Sequence, residues 1–100
     1  HNALNTDEEL SVHFHGIHQQ KTPQMDGVAF FTQMPIVRGQ TFTYSFYAYP
    51  AGTHFYHSHS GLQFTTAFGA LIVDDPDRNW NATEVPSGPI LFSDQWAGID

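Results

Sequence analysis

Apolar and polar side chains alternate most regularly over residues 41–47, where Phe42, Tyr44 and Phe46 interleave with Thr41, Thr43 and Ser45. A period of two is that of a β-strand with one buried face, so this segment is the clearest half-buried strand of the chain. Residues 11–18 alternate as well, with Val12, Phe14 and His18 on one side and His13, His15 and Ile17 on the other, and Gly16 marks a bulge or a close backbone approach. Residues 53–59 are rich in aromatic and β-prone side chains. Continuous apolar runs at residues 28–31, 70–73 and 89–93 predict further short strands. Turn formers separate them: Pro23, Asp26 and Gly27; Pro35 and Gly39; Pro50 to Gly52; the acidic Asp74-Asp75-Pro76-Asp77; and Pro86 to Gly88. No amphipathic helix of three turns is visible. The expected fold class is therefore all-β, an antiparallel sandwich or barrel.

Composition narrows the picture. One hundred residues, 40% of them apolar and 15% aromatic, can build one small domain with a core, expected to span residues 1–100. Three basic residues against ten acidic ones give a formal charge of −7, which argues against nucleic acid or an anionic membrane surface as partner and is compatible with cations. No apolar run approaches a membrane span. Cysteine is absent, so disulfides carry no information about compartment. Asn81-Ala82-Thr83 is an N-glycosylation sequon in a polar stretch and points to a secreted glycoprotein. The abrupt start at His1-Asn2-Ala3-Leu4 gives the expectation of a mature product or a fragment of something longer.

Candidate chemistry lies in two identical pairs, His13-Phe14-His15 and His57-Ser58-His59, which hold four of the seven histidines. On a strand, an i, i+2 spacing projects both imidazoles from one face at neighbouring heights. Both pairs sit among apolar and aromatic residues, where an unpartnered imidazole would bear a desolvation cost that a metal removes. Imidazole suits copper, zinc, iron and nickel, and no thiolate is available here. The face carrying the four histidines is expected to be rich in aromatics such as Phe14, Phe55 and Tyr56.

These segments carry a resemblance. His13-Phe14-His15-Gly16-Ile17-His18-Gln19, Met25-Asp26-Gly27-Val28, Thr32-Gln33-Met34-Pro35-Ile36, Gly52-Thr53-His54-Phe55-Tyr56-His57-Ser58-His59 and Phe68-Gly69-Ala70-Leu71-Ile72-Val73 resemble, in order and spacing, the first cupredoxin domain of a laccase-like multicopper oxidase. The resemblance implies a cupredoxin-like Greek-key β-barrel that lacks its earliest strands here. It also implies copper in type 2 and type 3 centres, part of a trinuclear cluster between the first and last of three such domains. By position, His13 resembles the type 2 ligand, His15 and His57 resemble ligands sharing one type 3 copper, and His59 resembles a ligand of the other. Asp26 matches a carboxylate that helps deliver protons, and read from the sequence alone it is equally a turn former. His18 and His54 match no ligand. Two departures stand out: Phe14 replaces the usual Trp, and Met34 stands where many relatives have a disulfide-forming Cys.

The resemblance implies that phenolic or similar donors are oxidised in the full enzyme while dioxygen is reduced to water. The electron entry site needs a Cys that this chain lacks, so the chain alone is expected to be inactive and to need further cupredoxin domains carrying the remaining ligands. The alternative is a stand-alone copper-binding module for storage, delivery or scavenging, using the four imidazoles without partners. A zinc hydrolase is a third reading, weakened because no general base is clearly supplied.

Overall fold

The computed structural model describes residues 1–78 and 88–94. Its regular structure is a three-stranded antiparallel sheet of order β1-β2-β3, built from β1 (Val12–His15), β2 (Gly52–Ser58) and β3 (Phe68–Val73). Single 3₁₀ turns stand at Pro23–Met25 and Gln63–Thr65, and no α-helix occurs among the described residues. The all-β expectation holds, and β2 and β3 fall where the aromatic and apolar runs put them. No helix among the described residues is long and apolar enough to cross a membrane. The Asn81 sequon lies outside the described residues.

Three expected strands differ. Residues 41–47 keep their alternation, with Phe42, Tyr44 and Phe46 half-buried and their neighbours exposed, yet they join no ladder among the described residues. Their aromatic side chains pack instead on the back of β1: the Phe14 ring lies 4.5 Å from Phe46 and 5.3 Å from Tyr44, and Phe42 lies 4.6 Å from Tyr44. Period two reports a buried face; it does not report a hydrogen-bonded neighbour. Residues 28–31 form a tight turn rather than a strand, because Phe31 and Thr32 both donate to the Val28 carbonyl and Phe30 takes a left-handed φ of 66°. Residues 89–93 are exposed and unladdered.

Burial is thin for so aromatic a chain. Beside Pro35, Ile17 and Ile36, 6% and 5% exposed, are the nearly buried apolar side chains among the described residues, while Phe31 and Phe92 are 88% and 90% exposed. A three-stranded sheet cannot cover both of its own faces. Polar ties compensate locally. Asn2, fully buried, donates to the Glu8 and Ile36 carbonyls at 2.9 and 2.8 Å and accepts from the Leu4 amide at 3.1 Å. Ser58 donates to Gln63 at 2.8 Å, and Gln63 in turn donates to the Glu9 carbonyl at 2.9 Å, locking the end of β2 to the segment before β1.

Between β2 and β3, Tyr56 faces Gly69, and its phenol ring fills the space a side chain at Gly69 would need. Gly69→Ala is therefore expected to destabilise the sheet by about 1–3 kcal/mol through overpacking. Urea unfolding measures this, and the cost should shrink in a Tyr56→Ala background, where the clashing ring is gone.

Candidate metal centre

Register brings the two His pairs together. In the β1–β2 ladder His13 pairs with His57 and His15 with Phe55, while Val12 pairs with Ser58 and Phe14 with Tyr56. Paired residues share a face and successive residues alternate, so His13, His15, Phe55 and His57 lie on one side. His59, whose amide donates to the Ser11 carbonyl at 3.1 Å, continues that side beyond the end of β2. Phe14 and Tyr56 point the other way. The expectation of a ligand face rich in those two aromatics is corrected by the alternation itself: residues next to a ligand in sequence are on the opposite surface.

His13 is the hub. Its ring centre lies 5.5 Å from His15, 5.3 Å from His57 and 5.7 Å from His59. One nitrogen each of His13, His15 and His57 lies within 4.8 Å of the others. His59 stands outside that set, 6.1 Å from His57 between ring centres. Phe55 stacks flat on His15, with centres 4.6 Å apart and 15° between planes, and fixes that ring's orientation.

Backbone carbonyls decide which nitrogens are free. His13 Nδ1–H donates to the Asp26 carbonyl at 2.6 Å, and His57 Nδ1–H donates to the Ser58 carbonyl at 3.0 Å. A carbonyl only accepts, so each Nδ1 bears a proton; in the neutral ring Nε2 is then the nitrogen with the lone pair that a metal takes. His15 Nδ1 and His57 Nε2 approach to 3.4 Å. Two nitrogens bound about 2.0–2.1 Å from one ion at a tetrahedral angle stand about 3.3–3.4 Å apart, so this spacing fits a shared metal. Burial, then the neighbouring His13 and His57, holds the His15 pKa below the ordinary imidazole value. At His15 this favours the neutral imidazole, the form that ligates.

Asp26 reaches the site from the 3₁₀ turn at Pro23–Met25, where it is the residue that closes the turn. Its carboxylate Oδ1 is 3.3 Å from His13 Nδ1, and the side chain remains about one-third exposed at 32%. Gly27, with φ of 75°, lets the backbone lie directly against the Val12 carbonyl, where any Cβ would collide. That contact docks the turn on β1. Tyr44 holds the same strand from behind: its hydroxyl accepts from the Val12 amide at 3.0 Å and donates to Gln33 at 2.7 Å. The sequence alone did not single out Tyr44 or the Asp26 main-chain carbonyl; the period-two position of Tyr44 on the buried face was the one available signal.

The remaining histidines are elsewhere. His54 lies on the opposite face of β2, its ring against Gly16 and its Nε2–H on the Pro50 carbonyl at 2.8 Å, so the close approach expected at Gly16 is made by an imidazole. His18 is exposed, with its ring edge-on to Tyr49 at 5.3 Å. Beside His15 and His57 an open groove of about 420 Å³ is lined by Phe55, Phe64, Phe68 and Leu91.

Comparison with known proteins agrees with this geometry. A multicopper oxidase family model matches residues 1–78. The chain is 48% identical over 97 residues to an L-ascorbate oxidase of Cucumis sativus, covering 95% of this chain and 16% of that protein. It is 52% identical over 64 residues to Laccase-1 of Emericella nidulans, covering 63% of this chain and 10% of that protein. Among solved structures, the blue copper oxidase from Nitrosomonas europaea superposes with a TM-score of 0.70 at 41% identity, over 74% of this chain and 24% of that one. The cupredoxin-like fold is thereby shared, and the chain spans only a small part of the length of these relatives. With its paired histidines on one face of a cupredoxin-type sheet, this chain belongs to the multicopper oxidase family, whose cofactor is copper.

Proposed function

We propose that residues 1–100 are the first cupredoxin domain of a secreted, laccase-like oxidase and contribute half of a trinuclear copper site. In this reading His15 and His57 share one type 3 copper, His59 serves the other, and His13 binds the type 2 copper through Nε2. The approach of His15 Nδ1 to His57 Nε2 at 3.4 Å, across two strands, carries the reading. Copper bound by these histidines would supply one-electron chemistry for reducing dioxygen to water while phenolic-type donors are oxidised elsewhere in the full enzyme. The chain's own residues bind and orient: Phe55 fixes the His15 plane, the carbonyls of Asp26 and Ser58 fix two tautomers, and the partly exposed Asp26 carboxylate holds and passes protons beside His13. The other half of the cluster and the Cys-bearing electron entry site belong to a further cupredoxin domain, which would cover the open histidine face.

Copper titration tests the ligand set. His57→Ala should cost more than the roughly 10- to 100-fold in affinity that losing an outer hydrogen-bond partner costs, whereas His54→Ala should leave affinity nearly unchanged. Equal losses would mean an unspecific surface cluster. Calorimetry at several pH values should show copper affinity falling as pH drops through about 6.5, since protonated imidazole cannot ligate. The sign at His15 follows from its lowered pKa: the folded chain resists that proton, so neutral His15 persists to lower pH than in an unfolded chain.

Completeness is tested by mass and activity. The isolated chain with copper should show no intense blue thiolate absorption and no dioxygen uptake with a phenolic donor, because it contains no Cys. Light scattering on the native material should find a larger polypeptide or assembly. A monomer of this mass that holds copper tightly without a partner would favour the stand-alone module.

A further inference from the structure

The Asp26 carbonyl meets His13 at the end of a loop that a single side chain spans. Gln19 is 7% exposed and takes a left-handed φ of 52°. Its Nε2–H donates to the Met25 carbonyl at 3.2 Å, and its Oε1 accepts from the Thr22 hydroxyl at 3.0 Å. Backbone bonds follow the same path: Thr22 N–H to the Gln19 carbonyl at 3.0 Å, Met25 N–H to the Thr22 carbonyl at 2.9 Å, and Asp26 N–H to the Pro23 carbonyl at 3.3 Å. The clamp thus closes on the residue immediately before Asp26, while the residue immediately after it, Gly27, lies directly against Val12.

We propose that Gln19 is a positioning residue: by bridging Thr22 and Met25 it holds the Asp26 carbonyl on His13 Nδ1–H and so dictates that Nε2 of His13 is the free nitrogen. The proposal rests on the reading of His13 as an Nε2 ligand only for its use; the tautomer is a property of the metal-free chain. A neutral imidazole in water exchanges its proton between two nitrogens, and the hydrogen bond made by one of them selects the other as ligand. A buried amide that spends both a donor and an acceptor on six residues of loop is well placed to make that selection, because losing it leaves the Met25 carbonyl without that donor and the Thr22 hydroxyl with only its long bond to the Gln20 carbonyl at 3.5 Å, and so loosens the turn. Ser58, by contrast, serves His57 from within the strand and does not depend on this loop.

Long-range ¹H–¹⁵N imidazole spectra of the metal-free, ¹⁵N-labelled chain test it. The unaltered chain should show His13 and His57 both as Nδ1–H tautomers. Gln19→Met, of similar length and without an amide, should convert His13 to a mixture of tautomers and leave His57 unchanged, and Cu(II) affinity should fall by about tenfold. A general structural loss would move both rings, and an unchanged His13 in a folded Gln19→Met chain would overturn the proposal. If Gln19→Met does not fold, the milder Thr22→Val, which removes only the hydroxyl on Gln19, decides: a shift at His13 alone supports the role and no shift overturns it. Failure of the unaltered chain to take up Cu(II), with the His13 tautomer intact, would overturn the copper reading and leave the positioning role standing.

Discussion

Everything that makes this surface chemical depends on the register of β1 against β2. With His13 opposite His57, four imidazoles share one side of the sheet; a slip of one residue would turn one pair to the far side. The ladder of four pairs is short, so its register is held from outside. The Phe14 ring is locked among Tyr44 and Phe46, the Tyr44 hydroxyl takes the Val12 amide, and Gly27 presses on the Val12 carbonyl. Each of these acts on a residue next to a histidine rather than on the histidine itself. The aromatic back of β1 and the imidazole front are two sides of one constraint.

Side-chain period made much of this legible in advance. Two i, i+2 pairs in strand-forming surroundings imply shared faces, and the apolar run at residues 70–73 implies the strand that backs β2. Partnership was not legible: residues 41–47 bury alternate side chains without joining a ladder among the described residues, and periodicity cannot separate those cases. Main-chain groups were equally hidden, since every residue has a carbonyl and only the fold brings the one at Asp26 to His13. Gln19 and Tyr44 act through such groups, which is why their types gave no warning. His59 shows a further limit, because sharing a face does not guarantee the same distance from a common centre.

The apolar surface left open is a matter of arithmetic between sheet and sequence. Phe30, Phe31, Met34 and Phe92 are too exposed to stabilise this unit by themselves, although each would contribute strongly if covered. Relatives in which the matched region is a small fraction of the length have more chain with which to cover such surface. The exposed histidine face and the exposed aromatics have one thing in common: the three strands leave both uncovered.

The two donor pairs are separated by a long stretch of chain and meet only through the β1–β2 ladder. An unfolded chain keeps each i, i+2 pair but loses the junction between the two, so an ion held by both pairs binds the native form more tightly. Copper becomes a term in the folding equilibrium: at a free concentration about 100 times the dissociation constant it would add, as an upper bound, about 2.7 kcal/mol to native stability. For a sheet with so little buried apolar surface, that increment is comparable to the contribution of a whole core side chain. Metal supply would then help set how much of the chain is present as folded protein.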